Sequence, residues 1–339
     1  NFPLLVDLPT EKIRYESEVN ITKAVFKNIY RDFDIENFEI NILIDNSKIN
    51  YSGVGEIFGR VTRFEGKQIF NNERVIEVIT GSYDLNGSVL SSLIPEMDFS
   101  FDGSVDIKYT IDEDENGFSK LDGIGMLDNL LVDSKFLGSD LNLADGKMRF
   151  LIRPYNKFYS GFLDIKAKDL EIEVNTIFAD NQIIELDVDR LKSPQQDFSF
   201  NYKSNNKEFL VSGSLLTLDK INLSEQSNLN YNDMKLDVKI DLMKIGGMYF
   251  SKPEVHFNKV DGVFNEMSIN LEGEDDFHRI LINEKNQSKK FILESNYIPG
   301  LLNIFDVDLN INKGSLKIEG EKKINSDDRM IVGKGTPDW

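Results

Sequence analysis

The sequence contains no cysteine, only two histidines and a single tryptophan in 339 residues. The missing thiols exclude disulfide frameworks, thiolate metal sites and cysteine nucleophiles. A catalytic triad or a histidine metal centre would have to recruit His256 or His278. These stand in separate strand-like segments, 254–257 and 277–282, with no motif spacing around either, and each reads as a surface or strand-face histidine. Positive charge is the scarcer sign, with 39 Lys and Arg against 58 Asp and Glu and a net charge of −19. That argues against nucleic acid, whose phosphates need clustered cations, and against adhesion to an anionic bilayer by charge alone. No apolar run approaches the ~18 residues of a membrane-spanning helix, and no basic leader precedes Asn1-Phe2-Pro3-Leu4. A Pro/Gly/Ser-rich linker is also missing, so 1–339 reads as one elongated segment. It starts without Met and stops abruptly at Trp339, and is expected to be cut from a longer protein whose anchor lies outside it.

What is present is period-2 alternation. Successive side chains of an extended strand point to opposite faces, so alternation means one dry face and one wet face. From Phe99 to Ile111 the apolar positions are Phe99, Phe101, Val105, Ile107, Tyr109 and Ile111, interleaved with Ser100, Asp102, Ser104, Asp106, Lys108 and Thr110. Extended, this run would span roughly 43 Å at ~3.3 Å per residue, unless Asp102-Gly103 breaks it. Phe38 to Ile44, Leu163 to Ala167, Leu170 to Val174 and Ile184 to Val188 repeat the pattern. So do Phe198, Phe200 and Tyr202, then Leu236, Val238, Ile240 and Leu242, then Met267 to Leu271, Val307 to Ile311 and Leu316 to Ile318. Asn86-Gly87, Asn116-Gly117, Asp122-Gly123, Asp145-Gly146 and Asp261-Gly262 are expected to turn the chain. The fold class is therefore mainly β and antiparallel, since parallel strands buried on both faces would not alternate. Helices are expected at about 11–33, where Ile21, Val25 and Ile29 form a stripe, briefly at 90–97, and at 296–306 with Pro299 in the first turn.

Polar motifs are sparse. Asp112-Glu113-Asp114-Glu115-Asn116-Gly117 has the ligand spacing of half a calcium loop. Its twelfth position is Gly123 where a glutamate is needed, so it reads as an acidic hairpin tip. Gly53-Val54-Gly55 with Gly59 is not a dinucleotide fingerprint and lies in no βαβ unit; glycines inside strands allow close packing or bulges instead. No metal, cofactor or catalytic residue is expected.

The segment 290–336 resembles the C-terminal region of AsmA-like proteins, the bacterial envelope family with YhdP-type members. The resemblance is carried by a strand, Lys290-Phe291-Ile292-Leu293-Glu294-Ser295, and a short amphipathic helix, Tyr297-Ile298-Pro299-Gly300-Leu301-Leu302-Asn303-Ile304-Phe305. A Gly-marked hairpin from Asn312 to Gly320 follows, then a strand from Met330 to Gly335. The resemblance implies a long curved antiparallel sheet forming an open, taco-like groove. It also implies a place in the periplasm, an inner-membrane anchor outside this segment, and passage of phospholipids towards the outer membrane. Phospholipid acyl chains are then the expected partners, and the groove residues are Phe99, Phe101, Val105, Ile107, Tyr109, Ile111, Phe198, Phe200, Tyr202, Leu236, Val238, Ile240 and Leu242. Two rivals remain: a structural or adhesive β-sandwich binding a protein or glycan, and a hydrolase using paired carboxylates, which sequence cannot single out.

Overall fold

The structure, a computed structural model, describes residues 16–338 apart from 31–32, 58–59, 72–73, 87–98, 115–116, 135–136, 180–181, 220–232, 262, 286–287, 306, 308–310 and 324–328. Among the described residues the chain forms 22 strands and one helix, α1 (Ile298–Ile304). The mainly β, antiparallel fold class read from alternation is what the chain adopts. The strands group into two compact units, residues 1–132 with 142–168, and 133–141 with 169–339.

In the first unit β1 (Glu16–Tyr30), β2 (Phe33–Asp45), β3 (Lys48–Ile57), β4 (Arg60–Asn71), β5 (Arg74–Asn86) and β6 (Phe99–Asp114) pair antiparallel in sequence order. β7 (Gly117–Ser134) pairs β9 (Gly146–Tyr155), which pairs β10 (Phe158–Lys166); β8 (Gly138–Asn142), between β7 and β9 in sequence, falls in the second unit up to Leu141. The helix expected over 11–33 is instead β1 across its described part. Its register against β2 shifts between Ile21 and Ala24, where Lys23 has a positive φ of 58°. β6 runs unbroken through Asp102-Gly103. Gly103 has φ 121° and its hydrogen side faces the Asn129 carbonyl of β7, so the glycine permits a close approach rather than a turn. Asp122-Gly123 also fails to turn, because it lies inside β7. Asp145 and Asp261 do turn the chain with positive φ, as does Gly117; Gly87, Asn116 and Gly262 lie outside the described residues, as does the segment 90–97.

The second unit builds one continuous ladder from β11 (Glu171–Ala179), β12 (Gln182–Lys192), β13 (Asp197–Lys203) and β14 (Glu208–Leu218). It continues with β15 (Met234–Ile245), β17 (Glu254–Val260), β18 (Val263–Glu272), β19 (Phe277–Lys285), β20 (Ser288–Ser295), β21 (Lys313–Lys323) and β22 (Arg329–Asp338). One pair departs from the antiparallel rule, since β14 and β15 run parallel. A hairpin with Gly246 and Gly247 at positive φ joins β15 to β16 (Met248–Ser251). The expected hairpin from Asn312 to Gly320 is a single strand, β21, and Val307 and Ile311 lie in irregular backbone. Among the described residues no pairing joins β11 to β22, so the ladder stays open.

Candidate apolar binding site

Register turns the alternation of the second unit into aligned rows. Val188, Phe200, Val211, Val238, Val255, Ile269, Ile280 and Leu293 stand directly opposite one another, strand to strand, from β12 to β20. A second row on the same face runs Leu186, Tyr202, Phe209, Leu236, Phe257, Met267, Ile282, Phe291 and Gly320. A one-residue slip at any pairing would send half of a row to the solvent face. The rows border a cavity of about 1050 Å³ in which every lining side chain is Val, Leu, Ile, Met or Phe. Apolar walls of this kind offer water no partners. They offer a ligand no hydrogen bond or charge, so recognition there rests on burial alone, about 25 cal/mol per Å².

One end of the cavity is closed by α1 and the β15–β16 hairpin. Leu301, Leu302 and Phe305 face the cavity from the helix, while Phe250 of β16 and Ile304 are essentially fully buried beside them. The Asn303 amide donates to the Gly246 carbonyl over 2.7 Å and ties the helix to the hairpin turn. Here β14 and β15 turn over together: Val211 and Val238 face the cavity, but so do Leu216, Leu218, Met243 and Ile245, of the opposite parity. Their mutual register stays constant through the change. One register shift and one partner exchange accompany it. β13 shifts register against β14 between Asp197 and Phe198, and β15 passes from β17 to β16 beyond Lys239. Buried Gln196 completes the β13 edge as a strand would: its amide donates to the Thr217 carbonyl over 2.9 Å and accepts from the Thr217 N–H over 3.0 Å.

The apolar layer holds one polar cross-strand pair, His278 of β19 opposite Ser295 of β20, each 1% exposed. The Ser295 hydroxyl is 2.8 Å from His278 Nδ1 and also accepts the Tyr297 N–H over 3.0 Å, at the entry to α1. Nε2 is buried, has no hydrogen-bond partner and lies 3.5 Å from the Asp276 carboxylate. Burial pushes the His278 pKa down, with Asp276 opposing the shift. Serine, histidine and aspartate thus come together, but the serine is sealed from solvent and already holds a helix entry, so the set staples β19, β20 and α1. His256 is a surface histidine, 2.6 Å from Asp237 and 3.7 Å from Glu266. At the acidic hairpin tip Lys120 pairs with Asp112 and Asp122 at 4.0 and 3.0 Å. No group of three His, Asp or Glu among the described residues could hold a metal, and no described helix is long and apolar enough to cross a membrane.

Four residues expected from alternation line the cavity: Phe198, Phe200, Leu236 and Val238. Ile240 is 3% exposed and packs in the adjoining core with Phe250 and Ile245. Tyr202 continues the second row beyond the cavity, its ring 4.7 Å from that of Phe209. Leu242 points the other way, because the strand has turned over before it is reached. The β6 residues belong to the first unit. There Phe101, Val105, Ile107, Tyr109 and Ile111 share a face, with Val105 buried and the others half-buried; the Phe99 side chain lies outside the described residues. The Tyr109 hydroxyl bonds Thr62, and burial pushes its pKa up against that bond. The same face continues through Ile79, Gly81, Phe64, Gly53 and Ile40 to Ile21. Leu216, Met243, Ile245 and the α1 side chains were missed as lining residues, because no sequence signal marks where a strand reverses its faces.

No family model, no curated protein and no solved structure matches this chain. Fold and cavity define a mainly β protein with a half-open, hydrocarbon-like cavity.

Proposed function

We propose that the chain binds phospholipid acyl chains in the cavity of its second unit, as a periplasmic segment of an AsmA-like protein that conducts lipid between the inner and outer membranes. The cavity's uniformly apolar lining carries the reading. Pockets for ordinary small molecules add a few placed polar groups for orientation; this one has none, which suits a chain of methylenes and leaves a headgroup outside. The apolar face of the first unit has the same chemistry, and the resemblance of 290–336 supplies the envelope setting and the anchor beyond the segment. The test is titration with a fluorescent acyl-chain probe, wild type against Leu236→Asp. Leu236 is half-buried and lines the cavity, so the substitution places a carboxylate at the apolar volume. Probe affinity is expected to fall at least about ten-fold, roughly 1.4 kcal/mol. Saturable binding that Leu236→Asp leaves unchanged would place the ligand elsewhere, and no binding at all would remove the proposal.

A further inference from the structure

We infer that Gly320 sets how much hydrocarbon the cavity holds, by giving the Phe291 ring a place to lie flat; this rests on the acyl-chain reading above. Phe291 lines the cavity from β20 and stands directly opposite Gly320 on β21. A Cβ on Gly320 would overlap the tip of that ring, so the ring extends across the neighbouring strand over the glycine. Gly320 has no positive φ, so its backbone does not require glycine. What requires it is the space its missing side chain leaves.

The same arrangement recurs in the first unit. Phe64 covers Gly53, Tyr51 covers Gly66, Tyr109 covers Gly81 and Phe150 covers Gly123, and each ring stands directly opposite its glycine. A ring laid down on a glycine adds apolar surface without standing up into the space above the sheet. The device therefore keeps apolar faces rich in aromatics yet unfilled by them. At Gly320 the space preserved is the cavity itself. A benzene-sized cavity of ~150 Å³ gives roughly 25 Å³ per carbon, so about 1050 Å³ is the space of about 40 carbons, close to the two chains of one diacyl lipid. A side chain at 320 would lift the ring inward and remove on the order of 150 Å³, or about six carbons.

The experiment is native mass spectrometry of the whole chain after incubation with an equimolar series of diacyl phosphatidylglycerols, from two 12-carbon to two 18-carbon chains. Wild type is expected to retain the longer members. Gly320→Val shifts the bound distribution down by about six carbons in total, Gly320→Ala by less, and Gly320→Val with Phe291→Ala restores it. Phe291→Ala alone enriches the longest members, which keeps the inference testable should Gly320→Val fail to fold. A merely structural glycine would alter stability without moving the chain-length distribution. Lipid binding with the same distribution in wild type and Phe291→Ala, or no rescue in the double variant, overturns the inference and leaves the acyl-chain reading standing. Absence of bound lipid in wild type overturns both.

Discussion

His278 shows how one side chain is fixed by what surrounds it. It is sealed between Phe250, whose ring lies edge-to-face with it at 5.7 Å between centroids, Ser295 and Asp276. Its folded pKa is lowered, so the unfolded chain binds the extra proton more readily. The stability it contributes is complete above the unfolded value near 6.5 and declines as pH falls through that value. Melting temperatures at pH 7.5 and 5.5 should therefore diverge more in wild type than in His278→Gln; an equal drop in both would place the acid sensitivity elsewhere. Phe250 is fully buried. Phe250→Ala should cost about 3–5 kcal/mol in urea unfolding, through lost burial and the cavity left behind. Phe198, Phe200, Leu236 and Val238 were legible in the sequence, because alternation alone decides which face such residues take. The roles of Gly320, Gln196 and His278 were not, because each depends on the residue across the strand, and register is a tertiary fact.

At the scale of elements, the strands were readable and their irregularities were not. β14 and β15 each bury one face over most of their length, so they alternate like their antiparallel neighbours and their parallel pairing left no mark. Period-2 patterning also assumes a strand keeps its faces, which failed at Leu242. β1 looked helical because Ile21, Val25 and Ile29 recur at every fourth position, a spacing that fits a helical face. The α1 helix was legible through Pro299 and its apolar stripe, whereas its duty as the closure of a cavity depends on the β15–β16 hairpin it meets. Gln196→Leu would strip both Thr217 backbone groups of their partners and should cost about 2–4 kcal/mol, read as a lower urea midpoint. Asn303→Ala removes the bond from α1 to the Gly246 carbonyl, worth about 1 kcal/mol. Amide exchange from Leu301 to Ile304 should quicken in that variant while β17–β19 amides stay protected; uniform acceleration would mean that α1 is no separate closing element.

At the scale of the molecule, each unit presents an apolar face made by aligned strands, and the second lines a half-open cavity that its own residues leave unfilled. A net charge of −19 opposes approach to anionic membranes. Association with phosphatidylglycerol vesicles should therefore rise with added salt, and binding that weakens with salt would instead mean attraction through a basic patch. The central claim is that the apolar cavity holds hydrocarbon chains. Its most direct test is native mass spectrometry of the chain purified without detergent after expression in a bacterial periplasm. The expected spectrum shows adducts with phospholipid masses in wild type, strongly reduced in Leu236→Asp. A bare polypeptide mass in both, from protein that takes up no lipid when offered it, would contradict the account.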